Sequence, residues 1–476
     1  MQLWRQSARQ VVAALGSGKL SAVEVVQGAI HRIEATHASV NAITARRFEQ
    51  ALEDARRADA QPRGPRAPGR RLAGLPVVIK DMTDVAGLAT TLGDPERAHI
   101  LSPRSDLCVE RIEREGGIVL AKTNVPFMGL GHDTSNPLFG TTRNPWNTDR
   151  STGGSSGGAA AALACGAAWL AHGSDLGGSI RGPAGRCGVV GLRPTPGLVA
   201  HGGIDTRRDP VEDQNLDGPM ARDVADCALF LDAMAGASPE DPLSMPPDPD
   251  GYLPAALAPA LPKRVAVSAD LGVATVHNAV RTVMADLARR LAADGVEVDE
   301  SGPPCDGIAD AAYDLRLAWT RRRTSPAEFE RRRPNLPDIA ARTWLDSQSL
   351  TVDRLLAAQV RQQKLIDDMR RLFRQVDCLI IPANPSPPPL LRHNGTTLAP
   401  GTEHHWVHGA VLSYAVTLSW CPSLSLPAGL TSDRLPVGVQ VIGPPRSERQ
   451  LFRYGAAIEA LCGIAPLLPI EPRATA

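Results

Sequence analysis

Apolar residues recur at helical spacing in the segment SAVEVVQGAIHRIEATHASVNAI, where Val25, Ala29 and Ile33 share one face. Ser21 supplies an N-cap and Glu24 stands at the capping-box position, so an amphipathic opening helix is predicted. After a Pro/Arg/Gly-rich stretch, Gln61 to Arg71, the pattern changes. Leu75, Pro76, Val77, Val78 and Ile79 make a short continuous apolar run that ends on Lys80. Such a run reads as a buried strand, and its last residue carries a charge to the edge of the core. A helical pattern over 105–115 leads into a second strand-like run, GGIVLAK (116–122). Periodicity then stops. The stretch SNPLFGTTRNPWNTDRSTGGSSGG, from Ser135 to Gly158, predicts a long loop, and long loops in compact domains tend to carry function.

The Ala-rich run from Gly158 to Trp169 favours helix. A second glycine-rich turn, GSDLGGSIRGPAG, follows it. Further on, RVAVSAD (264–270), a helical pattern from Val276 to Ala293 and VEVDE (296–300) form a strand–helix–strand unit. CLIIPANP, PSLSLPAGL and PVGVQVIGPP predict later strands before a closing helix from Glu448 to Leu461. Strands alternating with helices predict a layered α/β fold. The Pro-rich stretch 238–264 reads as an internal linker or excursion, and there is no short tandem repeat.

Composition narrows the function. The chain has 476 residues and is 43% hydrophobic, with 43 Gly and 41 Pro, which excludes global disorder and, lacking any period, collagen. Its 51 basic residues are offset by 51 acidic ones, which argues against a broad grip on nucleic acid and against a polybasic membrane patch. Only five of the basic residues are lysines, so each can be examined. The eight cysteines are widely scattered, with no CxxC pair, which leaves no zinc or redox spacing. They are expected as buried, reduced thiols. The most apolar stretch, Ala159–Ala171, is too short to cross a bilayer, and the N-terminus has no uninterrupted signal-type apolar region. A cytoplasmic protein, with no nucleic-acid or membrane partner, is expected.

Two serines stand in glycine-rich turns: Ser155 in Gly153–Gly158 and Ser179 in Gly177-Gly178-Ser179-Ile180-Arg181. Glycine there permits positive φ and leaves N–H groups pointing into the turn, an arrangement able to hold an oxyanion. A solvated loop is the plain alternative for one such run, less so for two runs separated by a single helix and a short strand-like stretch. Gly153-Gly154-Ser155-Ser156-Gly157 also satisfies G-x-S-x-G, but the preceding RNPWNTDRST is no hydrophobic strand, so a nucleophile elbow is not supported.

With LPVVIKD, the two serine turns, TNVP, SNPLFGTTRNPW, GLRPTPG, GPMARDVADCALFLDAMAG and the three C-terminal strand segments, the chain resembles the amidase signature family along most of its length. That resemblance implies a large mixed, twisted sheet covered on both faces by helices, and one domain over 1–476. Within it, residues 1–70 form an N-terminal helical segment and 71–237 the signature core. Residues 238–330 form the strand–helix–strand excursion, and 331–476 a helical cap with the strands that complete the core. The resemblance casts Ser179 as nucleophile, Ser155 as a proton-relaying serine held in a cis peptide, and Lys80 as terminal base. It places the N–H groups of Leu176, Gly177, Gly178 and Ser179 at the oxyanion, and Gly129 and Leu130 beside the substrate. Asp175, Arg181 and Ser156 are expected behind the nucleophile, with a structural ion pair away from the site as the other reading of Arg181. It implies no metal and no cofactor. Gly185-Arg186-Cys187 departs from the small residue and aromatic that the family commonly has there.

The chemistry fits independently. A serine hydroxyl is a poor nucleophile until its proton is taken, and arginine stays protonated, so among basic side chains only lysine can take it. An exposed lysine titrates near ~10.4, and burial lowers that by several units. Each oxyanion donor is typically worth about 3–4 kcal/mol.

Elsewhere, Glu403, His404, His405 and His408 raise a metal site, with a solvated loop or substrate rim as the simpler reading; Trp406 lines a pocket or packs in the core. Arg207 and Arg208 sit in a polar loop that either covers the entrance or is plain surface. The resemblance implies a soluble hydrolase, monomeric or homodimeric, cleaving C–N bonds of small aryl or alkyl amides, anilides and carbamates, with possible esterase activity. A glutaminase subunit of a tRNA-dependent amidotransferase is the second reading, and a catalytically silent binding protein the third.

Overall fold

The computed structural model describes residues 2–61, 70–202, 214–391 and 406–474. Eleven strands form one mixed sheet: β1 (Ile43–Arg46), β2 (Pro76–Lys80), β3 (Ile118–Thr123), β4 (Leu170–Asp175), β5 (Val190–Arg193), β6 (Leu216–Ala221), β7 (Arg264–Val267), β8 (Glu297–Asp299), β9 (Cys378–Pro382), β10 (Ser423–Leu430) and β11 (Pro436–Ile442). Their order across the sheet is β1-β3-β2-β4-β6-β5-β10-β11-β9-β7-β8. The triplet β3-β2-β4 runs parallel, as does β9-β7-β8, and the pairs between them are antiparallel. Helices bury both faces. Cys378 and Ile380 of β9 belong to one core cluster and Leu379 and Ile381 to the other. That two-sided burial is why these strands read as continuous apolar runs without polar alternation.

The opening helix spans Ala22–Val40 with the Ser21/Glu24 capping box in place. The predicted helices at 105–115, 276–293 and 448–461 appear as Leu107–Arg114, Asn278–Ala293 and Glu448–Cys462. The strand–helix–strand unit is continuous with the main sheet, since β7 pairs with β9. Two expectations change. The Ala-rich helix stops at Ala164, Gly166 takes φ 78°, and Leu170 and Ala171 become β4, pairing with Val77 and Val78 of β2. A glycine at positive φ ends the helix before Trp169, and the strand-like stretch expected after it is β4. The loop 135–158 contains two short strand pairs, Ser135–Asn136 with Gly140–Thr141 and Arg143–Asn144 with Asn147–Ser151.

Strands β5 and β6 were not predicted because glycines interrupt their pattern. Those glycines have a packing role. Gly173, Gly218 and Gly191 lie on the adjacent strands β4, β6 and β5, and a Cβ on each would come within 2.9, 2.9 and 2.5 Å of the Ile180 side chain. Together they form a seat for the residue that follows Ser179. Gly191→Ala is therefore expected to destabilise the fold by about 1–3 kcal/mol through overpacking. Ile180→Ala in the same chain should make the combined loss smaller than the sum of the two, read by urea unfolding as a double-mutant cycle.

Candidate active site

The site is assembled where the parallel strands β2 and β4 end. Lys80 closes β2 and its side chain is fully buried. Its Nζ donates to Ser155 Oγ at 2.7 Å and to the main-chain carbonyl of Ser174, on β4, at 2.9 Å. Ser155 follows a cis peptide bond from Gly154. The next residue, Ser156, donates its N–H to the carbonyl of Ser179 at 3.0 Å, which ties the two serine turns together.

The Ser179 turn is built around Asp175. One carboxylate oxygen accepts the N–H of Gly178 at 3.0 Å, and the other accepts those of Ile180 at 2.9 Å and Arg181 at 3.3 Å. The Arg181 guanidinium completes a two-point pair with it at 2.7 and 3.0 Å. Both side chains are wholly buried. Burial alone would raise the Asp175 carboxyl; the charges of Arg181 and Arg193 and the hydrogen bonds it accepts overcome this and hold it well below the usual carboxylate range. Arg181 also donates to Gln440 Oε1 at 2.8 Å, the Ser413 carbonyl at 3.0 Å and Thr417 Oγ1 at 3.0 Å. Thr417 in turn donates to the Leu176 carbonyl at 2.6 Å. Asp175, Arg181 and Ser156 thus stand behind the Ser179 turn, and the ion pair of Arg181 lies at the site.

The four N–H groups expected at the oxyanion differ in their partners. The Gly178 N–H points at Asp175 and holds the turn, whereas those of Gly177 and Ser179 make no hydrogen bond to another described group.

A cavity of about 770 Å³ opens onto Ser155, Gly177 and Ser179. Gly129 and Leu130 line it, with Met82, Leu92, Met128 and Leu336. Phe329 and Trp344, stacked at 3.9 Å between ring centroids, add an aromatic wall. Tyr414 covers the Ser179 turn so closely that a Cβ on Gly177 would meet its phenol oxygen at 2.8 Å.

The sequence reading missed Tyr414, Thr417 and Gln440, and it left Lys122 without a role. Lys122 is as buried as Lys80 and lies near the end of the neighbouring strand β3; its Nζ lies 3.1 Å from Asp81 Oδ1 and donates to Thr90 Oγ1 at 2.8 Å. A lysine closing a second apolar run was a usable signal. Arg186, at the departure from the family pattern, is buried and donates to the His132 carbonyl at 3.2 Å. His408 pairs with Asp310 at 3.3 Å; Glu403, His404, His405, Arg207 and Arg208 lie outside the described residues, as does the Trp406 side chain. All eight cysteines are buried and none is joined in a disulfide. No helix among the described residues is long and apolar enough to cross a membrane.

A buried lysine hydrogen-bonded to one serine, beside a second serine turn on a mixed α/β sheet, is the arrangement of a serine hydrolase that uses lysine where others use histidine. Comparison with known proteins agrees. The Amidase family model matches residues 24–452, and the chain belongs to that family, the amidase signature hydrolases acting on amides. It is 32% identical to an acylamidase of Rhodococcus erythropolis, over 96% of this chain and 95% of that protein. It is 30% identical to a glutamyl-tRNA(Gln) amidotransferase subunit of Carboxydothermus hydrogenoformans, over 96% of this chain and 98% of that protein. The solved structure of a bacterial aryl acylamidase superposes with a TM-score of 0.86 at 27% identity, covering 98% of this chain and 99% of that one.

Asp175→Asn should cost about 3–5 kcal/mol, because it strands a buried guanidinium. The sign of the pH effect follows from the depressed carboxyl. Its contribution is complete above the unfolded value of about 3.9 and is lost as pH falls through that value toward the lower folded one. Denaturant titrations at pH 7 and pH 3 should therefore show the gap between wild type and variant narrowing in acid.

Proposed function

We propose that the protein is a stand-alone hydrolase of small aryl or alkyl amides, extending to carbamates and esters, that works through an acyl-enzyme on Ser179. The observation that carries this reading is the Lys80–Ser155 hydrogen bond, 2.7 Å long, at the floor of an aromatic-walled cavity. Neutral Lys80 draws a proton from Ser155 as Ser155 draws one from Ser179, whose Oγ attacks the substrate carbonyl. The N–H groups of Gly177 and Ser179, with that of Leu176, meet the oxyanion as the C–O bond becomes single. Collapse breaks the C–N bond, and the proton returns along the same path to the leaving amine. Water, deprotonated by the same relay, then attacks the acyl-enzyme and releases Ser179.

Burial at the end of β2 penalises the charged form of Lys80 and so supports its role as a neutral base. The apolar and aromatic cavity wall favours aryl and alkyl groups over the side chain of glutamine. A glutaminase subunit remains the second reading, favoured by the comparable identity to amidotransferase subunits. The preserved Lys80–Ser155 contact speaks against a silent scaffold.

Purified protein is expected to release 4-nitroaniline from acyl 4-nitroanilides and amine from model carbamates. Ser179→Ala should abolish that release, and Lys80→Ala should lower it by several orders of magnitude with Lys80→Arg giving no rescue, because guanidinium cannot act as base. Activity surviving in Ser179→Ala would overturn the nucleophile assignment. Hydrolysis of glutamine alone, and only with partner proteins added, would favour the second reading.

A further inference from the structure

The 21-residue helix Val352–Leu372 carries an apolar face that the hydrolytic mechanism does not use. Its inner side buries Ala358, Leu365 and Met369 and packs on the helices Ile308–Arg323 and Val411–Ser419, which line the cavity through Trp319 and Tyr414. On its outer side Val352, Leu356 and Val360 stand 73, 52 and 71% exposed at the spacing i, i+4, i+8. Single exposed apolar residues are ordinary, whereas a row of them on one helix face marks a contact surface. A groove of about 680 Å³ runs beside the C-terminal half of the same helix. Ile366, Met369 and Phe373 line it, together with Trp420, which is 42% exposed, and the Pro444–Pro445 turn.

The outer positions follow a heptad seam. Val352, Leu356, Gln359, Gln363, Ile366 and Arg370 alternate steps of four and three, and no charge occurs on that seam before Arg370. The order is also close to palindromic. Two such helices laid antiparallel about a two-fold axis at position 361 bring Leu356 onto the partner's Ile366 and Gln359 beside the partner's Gln363, where the side-chain amides can pair, and each contact occurs twice. Charge agrees with that arrangement. Asp353, exposed in the first turn, forms no ion pair with another described residue. The other end is basic: Arg370 and Arg371 are answered by Asp367, at 3.1 Å, and Asp368, while Arg374 is exposed and has no such partner among the described residues. An antiparallel pair sets Asp353 against that basic end and opposes the two helix dipoles, and a parallel pair does neither.

We propose that the protein associates with a second copy of itself as a two-fold dimer, through antiparallel pairing of the helices Val352–Leu372. Val352 and Leu356 of each copy enter the groove that Ile366, Phe373 and Trp420 of the other copy line. The contact covers the exposed apolar row and fills the groove at once, and it braces, from behind, two helices that line the cavity. It is independent of the amide-hydrolase reading.

The test is the mass of the full chain in solution by light scattering and sedimentation. At about 100 µM wild type should show twice the 50.4 kDa of one chain and should dissociate on dilution. Leu356→Glu should raise the dissociation constant at least about a hundredfold, because the lost contact occurs twice, with circular dichroism reporting that the variant is folded. Asp353→Arg should weaken the dimer about tenfold, and adding Arg370→Asp in the same chain should restore it, which a merely loosened helix would not do. A wild-type chain that stays monomeric at that concentration overturns the proposal and leaves the face to a different protein. A dimer that folded Leu356→Glu leaves intact, or a charge swap that restores nothing, overturns it as well.

Discussion

The ion pair between Asp175 and Arg181 is the interaction on which the rest of the site depends. A single buried carboxylate accepts three N–H groups of the turn and a two-point guanidinium, so the chain from Asp175 to Arg181 has little freedom left. Removing either charge would leave the other stranded in a dry interior. Arg181 extends the constraint outward to Gln440 on β11 and to Thr417, both far along the sequence. The C-terminal part of the chain therefore helps hold the Ser179 turn in place. Below the turn, Ile180 rests on three glycines from three strands, so the position of Ser179 is set from both sides.

The two buried lysines show how environment separates roles. They stand at the ends of adjacent parallel strands, with Ile79 opposite Lys122 and Lys80 opposite Thr123. Lys122 faces the Asp81 carboxylate and pins the loop from Asp81 to Thr91, whose N–H donates to Asp81 at 3.1 Å. Lys80 hydrogen-bonds to a serine hydroxyl and a main-chain carbonyl.

The framework and the lysine and serine turns that meet in the site were legible from sequence for physical reasons. Strands buried on both faces give unbroken apolar runs, as in Pro76–Lys80 and Cys378–Pro382, and a lysine ending such a run marks itself. Serines in two glycine-rich turns set close together carry their own signal. What was hidden depended on tertiary contact. β5 and β6 were masked because the glycines that seat Ile180 break the strand pattern. The helix ending at Ala164 was overextended to Trp169 because the alanines on either side of Gly166 favour helix whether or not that glycine turns the chain. Thr417, Gln440 and Tyr414 sit in apolar segments, and their role appears only when Arg181 and Gly177 are brought against them. The donor at Gly178 could not be told from its neighbours until Asp175 was seen to accept it.

The central claim is that Lys80 works as a neutral base inside the protein. The most direct measurement is the pH dependence of kcat/KM for a neutral anilide, which reports the free enzyme's essential base. The account predicts an acid limb well under the ~10.4 of an exposed lysine, because burial penalises the charged form of Lys80. A limb that keeps rising to pH 10 would contradict it, because Lys80 would then be charged at the pH where the enzyme works.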